Sequence, residues 1–238
     1  MLTFVGASHI GKIRKDNQDS FLTRSLSDEV GFAVVCDGMG GANGGSVASR
    51  MAAETIAEVL TREYNGETEE EAIYRLLTRA CETANAEVYR RSQRESELDG
   101  MDTTAVIALV CGQKAHILHV GDSRAYLLAD AFTQITNDHS MVQELVDSGE
   151  ITAEAAKTHP QKNMITRAVG VEGFITCDCD TVPFEKGNIL LLCTDGLTNM
   201  VSDEDIKNIL TAKADPERLI SAALTAGGRD NVTVVLVY

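Results

Sequence analysis

Acidic pairs stand at the ends of apolar runs that are far apart in the chain. Asp37-Gly38 follows the run 31–36, Asp195-Gly196 follows 189–194, and Asp230-Asn231 precedes 232–237. Asp122 follows a similar run, 116–121. Runs of this length rich in Val, Ile and Leu read as buried strands, so the carboxylates at their ends can gather at one edge of a sheet core. Ionised carboxylates held together without a counter-ion repel and raise each other's pKa. A hard divalent cation, which prefers oxygen ligands, resolves that repulsion. The pattern implies a metal-dependent hydrolase.

Each motif also has a plain alternative. In Asp37-Gly38-Met39-Gly40-Gly41, Asp37 offers a carboxylate, Gly38 lets its carbonyl approach the same ion, and the later glycines allow left-handed backbone. The plain alternative is a Gly-rich turn capped by an Asp. It is not a P-loop, because no Gly-Lys-Ser/Thr follows. Asp195-Gly196 and Gly227-Gly228-Arg229-Asp230-Asn231 each read equally well as Asx turns. Asp122 is a ligand, a partner for Arg124, or a turn cap. Arg14 sits in a polar cluster, 14–19, and Arg suits bidentate phosphate recognition, although a solvated loop explains the spacing as well.

The elements that must position these residues read as follows. Strands are expected at 2–9, 20–24, 31–36, 103–111, 115–120, 124–128, 134–136, 174–182, 189–193 and 232–237. Residues 38–45 read as a Gly-dense turn, with Ser46 as N-cap of a helix over 47–62. A second long helix is expected over 70–96, with short helices at 140–148 and 153–157 and amphipathic ones at 203–210 and 216–226. Gly112-Gln113-Lys114 makes the flanking strands an antiparallel hairpin. Strands in hairpin order with helices in pairs indicate α+β layers of sheet on sheet, not a parallel βαβ sheet.

The bulk numbers suit one domain spanning 1–238, with a polar stretch of weak apolar periodicity at about 138–170 read as a mobile flap. A formal charge of −15 argues against nucleic acid or an anionic membrane as the main partner. The N-terminus does not read as a signal peptide, and no run is long enough to span a bilayer. Six cysteines, three of them (Cys36, Cys111, Cys193) in strand-like runs, read as reduced residues of a cytoplasmic protein. Cys36 and Cys193 are too deep in apolar runs to serve as nucleophiles. His116 and His119 are expected to flank a strand, His9 and His159 to lie at the surface, and His139 to sit near the flap edge within reach of substrate.

Taken together, the segments resemble the metal-dependent serine/threonine protein phosphatases of type 2C in their compact bacterial form. The resemblance runs in order through Gly11-Lys12-Ile13-Arg14, Asn17-Gln18-Asp19, Asp37-Gly38-Met39-Gly40-Gly41, Asp102-Thr103-Thr104, Gly121-Asp122-Ser123-Arg124, Asp138-His139-Ser140, Ile165-Thr166-Arg167-Ala168-Val169-Gly170, Thr194-Asp195-Gly196-Leu197 and Gly228-Arg229-Asp230-Asn231. It implies a four-layer α/β/β/α sandwich of two mainly antiparallel sheets, with a metal cleft between them. It also implies two core Mn²⁺ or Mg²⁺ ions bridged by Asp37, with Asp195 and Asp230 completing one site and the Gly38 carbonyl serving the other. Asp122 with Asp195 would hold a weaker third ion. Arg14 would grip the phosphate, and Asp19 would orient metal waters without touching the ions.

Three departures from the pattern matter. Met39 stands where some relatives carry His, so the leaving oxygen must take its proton from water. Gln18 replaces a common Glu, and Asp102 replaces a common Gly. The chemistry implied is in-line attack on a phosphate monoester by a hydroxide held between cations about 4 Å apart, with no covalent intermediate. The expected substrates are phosphoserine and phosphothreonine on proteins, the products of a serine/threonine kinase, and the expected state is a monomer. The alternatives are a non-catalytic regulatory module of the same fold and a small-molecule phosphohydrolase.

Overall fold

A computed structural model describes residues 1–238, except the side chains of residues 41–43. The apolar runs become two antiparallel sheets. One has the order β1 (Phe4–His9), β11 (Val232–Val237), β10 (Ile189–Cys193), β7 (Arg124–Leu128), β8 (Phe132–Gln134). The other has the order β2 (Asp19–Ser25), β3 (Gly31–Met39), β5 (Ala105–Cys111), β6 (Lys114–Val120), β9 (Asp178–Pro183), with the short β4 (Asp102–Thr103) paired to the end of β3. The expected hairpin of β5 and β6 pairs Ala105 with Val120 through to Cys111 with Lys114.

The alternation of side chains across each strand creates three apolar layers. Val35, Val106 and Ala108 of one sheet meet Leu190, Leu192 and Val235 of the other between the sheets. The opposite face of the β3 sheet, with Phe32, Val34 and Ile107, is covered by α1 (Gly41–Glu63) and α2 (Glu70–Ser92) through Ile56, Leu60, Ile73 and Leu77. The outer face of the β10 sheet, with Leu191 and Val234, is covered by α6 (Asp203–Ala212) and α7 (Pro216–Thr225) through Ile206, Leu210, Leu219 and Ile220. This is the four-layer α/β/β/α sandwich that the family resemblance implied.

The local boundaries differ in places. Helix α1 starts at Gly41, not after Ser46, so Gly44 and Gly45 belong to its first turns. Its N-cap is Gly40, whose φ of 113° is left-handed and open to glycine at little cost. Gly41 of the predicted turn falls among the residues whose side chains are not described. Helix α2 ends at Ser92. The strand expected over 103–111 breaks at Thr104, because β4 pairs with β3 beside Met39 whereas β5 pairs further back. Strand β9 begins at Asp178, so 174–177 is not strand. In the flap, Ser140 caps α3 (Met141–Asp147) and Thr152 caps α4 (Ala153–Ala156). Among the described residues no helix is long and apolar enough to cross a membrane.

Candidate metal centre

Strand register brings the distant acids together. β10 and β11 run antiparallel with Cys193 opposite Val234, so Asp195, just past β10, lies beside Asp230, just ahead of β11. Cys193 also faces Arg124 of β7, which puts Asp122 at the same sheet edge. In the facing sheet, Asp37 closes the core of β3 and pairs with Asp19 of β2. Asp195 opens α5 (Asp195–Thr198), a short helix with no apolar period of its own and therefore absent from the sequence reading. One cavity of about 430 Å³ is lined by Arg14, Asp37, Gly38, Asp122, Asp195 and Asp230.

The charge balance in that cavity is unfavourable to the protein alone. Four carboxylates line it against the single guanidinium of Arg14. Burial, then the neighbouring acids, hold the Asp37 carboxyl well above its ordinary range. Burial and Asp195 push Asp122 to about 8, and burial and Asp230 push Asp195 to about 6. Arg14 Nη2 donates to Asp230 Oδ2 at 2.6 Å, so the expected phosphate ligand sits at the cavity mouth as a counter-ion. Arg124 does not pair with Asp122; it is bound to Asp138, with Nε–Oδ1 and Nη2–Oδ2 distances of 2.8 and 2.7 Å.

The residues fit divalent cations. Four carboxylates line the cavity, and carboxylate oxygens are the donors that hard ions prefer. Asp19 Oδ2 accepts from Thr194 Oγ1 at 2.9 Å and Thr233 Oγ1 at 2.7 Å. Its Oδ1 is buried with no partner, and burial pushes its pKa to about 7. An acceptor left open behind the cavity suits a water held on an ion rather than an ion itself. At Gly38, a Cβ would run into the carbonyls of Gly45 and Gln18. Only glycine lets the end of β3 lie that close to the start of α1 while it lines the cavity.

Several supporting residues carried no role in the sequence reading. Asn231 fastens the Arg14 loop: its Nδ2 donates to the Ile10 and Asp16 carbonyls, both at 2.9 Å, and its Oδ1 accepts the Gln18 amide at 2.8 Å. Its place beside Asp230 was the only available signal. Asn163 and Ile165 bring the flap to the cavity wall. His139 does not line the cavity. It is buried, stacks on His119 at 4.5 Å, and faces Asp178 at 3.2 Å. His116 and His119 lie within β6 and are buried, not flanking it. All six cysteines are free, and burial raises the thiol pKa of Cys36 and pushes that of Cys193 to about 12, which leaves neither as a nucleophile.

A family model described as Protein phosphatase 2C matches residues 5–223. The chain is 40% identical over 232 residues to the serine/threonine phosphatase stp of Listeria innocua, covering 95% of this chain and 92% of that protein. The solved serine/threonine phosphatase of S. agalactiae superposes with a TM-score of 0.92 at 33% identity, covering 100% of this chain and 99% of the other. The catalytic domain of the serine/threonine protein phosphatase PstP, solved in complex with two manganese ions, superposes with a TM-score of 0.84 at 36% identity, covering 99% and 97%. The chain belongs to the protein phosphatase 2C family.

Proposed function

We propose that this protein is a metal-dependent phosphatase that hydrolyses phosphoserine and phosphothreonine on proteins, with residues 1–238 forming one catalytic domain. The observation that carries this reading is the convergence of four carboxylates from four separate strand ends, with one arginine, on a single cavity. The two manganese ions of the PstP structure support the same cofactor here, as Mn²⁺ or Mg²⁺.

Asp37, Asp195, Asp230 and the Gly38 carbonyl would hold two core ions, and Asp122 with Asp195 a weaker third. Bound there, the ions supply Lewis-acid neutralisation of phosphate charge and a water acidic enough to attack phosphorus near neutral pH. Arg14, half exposed at the mouth, orients the phosphate dianion through its fork of donors. Asp19, whose buried Oδ1 has no partner, would orient water around the ions without touching them. Met39 has no proton to give, and no histidine lines the cavity among the described residues. The serine or threonine oxygen therefore takes its proton from solvent.

Residues 138–170 act as the flap, supported by Asn163 and Ile165 on the cavity wall and by the bridge between Ser140 and Ile165. The protein works as a cytoplasmic monomer on the products of a serine/threonine kinase. The free cysteines support a reducing compartment. The test is turnover of a phosphothreonine peptide and of p-nitrophenyl phosphate, with EDTA and then with Mn²⁺ restored. Turnover lost in EDTA and regained with Mn²⁺ is expected; unchanged turnover in EDTA would refute the reading.

A further inference from the structure

A second cavity, of about 340 Å³, adjoins the metal cavity and shares Ile165 with it as a common wall. It is lined by Asp102 and by Arg167, Val171, Glu172 and Phe174 from the flap and the segment after it. Asp102 is the residue that departs from the common Gly of the type 2C pattern. It pairs with Met39 across β3 and β4, and Met39 lines the metal cavity. Asp102 is thus one strand pairing away from a residue of the metal cavity's lining.

The chemistry of this second cavity is specific. Asp102 Oδ1 is buried with no hydrogen-bond partner. Among the described residues neither Asp102 nor Glu172 forms an ion pair, while Arg167 on the same wall is engaged, its Nη1 lying 2.8 Å from Asp178. Val171 and Phe174 are 54% and 75% exposed, an apolar lip with nothing over it. A half-buried carboxylate with no ion-pair partner is costly to the free protein, and a cation entering the cavity that Asp102 lines offsets that cost. An apolar lip beside acidic groups suits a long side chain with an aliphatic stem and a cationic head. A guanidinium satisfies both demands, since it also stacks on an aromatic face.

We infer that this cavity is a subsite for a basic side chain of the substrate, Arg above Lys, within two residues of the phosphorylated position. Its head donates to Asp102 and Glu172, and its stem lies on Val171 and Phe174. The inference deepens the phosphoprotein phosphatase reading and rests on it. It assigns Asp102 to substrate selection, not to the chemical step.

The test is a set of phosphothreonine peptides with Arg, Lys, Ala or Glu at each of the two positions on either side, turned over by the wild type and by Asp102→Asn, with p-nitrophenyl phosphate as a probe too small to reach the subsite. At one of these positions the wild type should prefer Arg over Ala by about tenfold in kcat/KM, mainly through KM, and Glu should fall below Ala. Asp102→Asn should bring the Arg-to-Ala ratio close to one and leave p-nitrophenyl phosphate turnover within about twofold. Phe174→Ala, an exposed change that does not threaten folding, should lower the same ratio. A wild type indifferent to Arg, Ala and Glu would overturn the inference, and so would an Asp102→Asn variant that keeps the preference. Failure of the wild type to turn over p-nitrophenyl phosphate with Mn²⁺ would instead overturn the functional reading, so the two failures are distinct.

Discussion

His139 and Gly121 are tied to each other twice. The His139 amide donates to the Gly121 carbonyl at 2.9 Å, and the Gly121 amide donates to His139 Nδ1 at 3.1 Å. Nδ1 is therefore unprotonated, and the neutral ring carries its proton on Nε2, facing Asp178. Gly121 precedes Asp122, so this buried imidazole fixes the backbone that presents a carboxylate to the cavity. His139→Ala should raise the Mn²⁺ concentration needed for half-maximal activity by about 10-fold or more, in the range usual for residues that orient ligands. Metal titration of activity checks this. An unchanged Mn²⁺ requirement would remove His139 from the support of Asp122.

In the proposed metal centre Asp37 and Asp195 are ion ligands rather than core residues. Asp195→Ala and Asp37→Ala should each cut turnover by at least about 100-fold. In EDTA, neither should melt below the wild type, because each substitution removes one of several mutually repelling carboxylates. Steady-state kinetics and thermal melts measure the two effects separately. A variant with full activity would exclude the residue from the metal centre.

The same acids give the metal-free protein an inverted pH dependence. Asp19, Asp195 and Asp122, raised to about 7, 6 and 8, hold protons in the folded state that the unfolded chain releases near pH 4. Between those values the folded state binds more protons, so its stability falls as pH rises. In EDTA, Tm should drop from about pH 5 to about pH 8, and Mn²⁺ should flatten or reverse the slope. Melts at each pH with and without Mn²⁺ test this; a Tm that rises across the window in EDTA would contradict it.

Arg14 pairs with Asp230 on a half-exposed surface, where such a pair contributes at most about 1 kcal/mol. Arg14→Ala should therefore leave stability nearly unchanged and raise KM for a phosphopeptide by about tenfold, more than it lowers kcat. An unchanged KM would show that Arg14 does not meet the phosphate.

Asn231 satisfies three backbone groups of the Arg14 loop at once. Asn231→Ala should cost about 1–3 kcal/mol by leaving them without partners. It should also speed amide exchange at residues 10–18, which hydrogen-exchange mass spectrometry reads directly. Asn231→Asp keeps the acceptor for the Gln18 amide but loses both donors, and should recover only part of the loss.

Much of this protein was written in its sequence. The strand-like runs, the hairpin at Gly112, the amphipathic helices near 203–210 and 216–226 and the acids at run ends all depend on local chemistry that a short window contains. What the sequence left open was decided by long-range register. Only the pairing of β10 with both β7 and β11 puts Asp122, Asp195 and Asp230 at one edge, and only the stacking of two sheets brings Asp37 to meet them. Helix α1 starts earlier than its residues suggest, and Gly38 and Gly45 touch in space, an approach that glycine permits and no periodicity records. The tie between His139 and Gly121 and the choice of Asp138 over Asp122 by Arg124 are contacts between segments distant in the chain. Propensity acts over neighbouring residues, whereas these depend on which strand edges face each other after the core has closed.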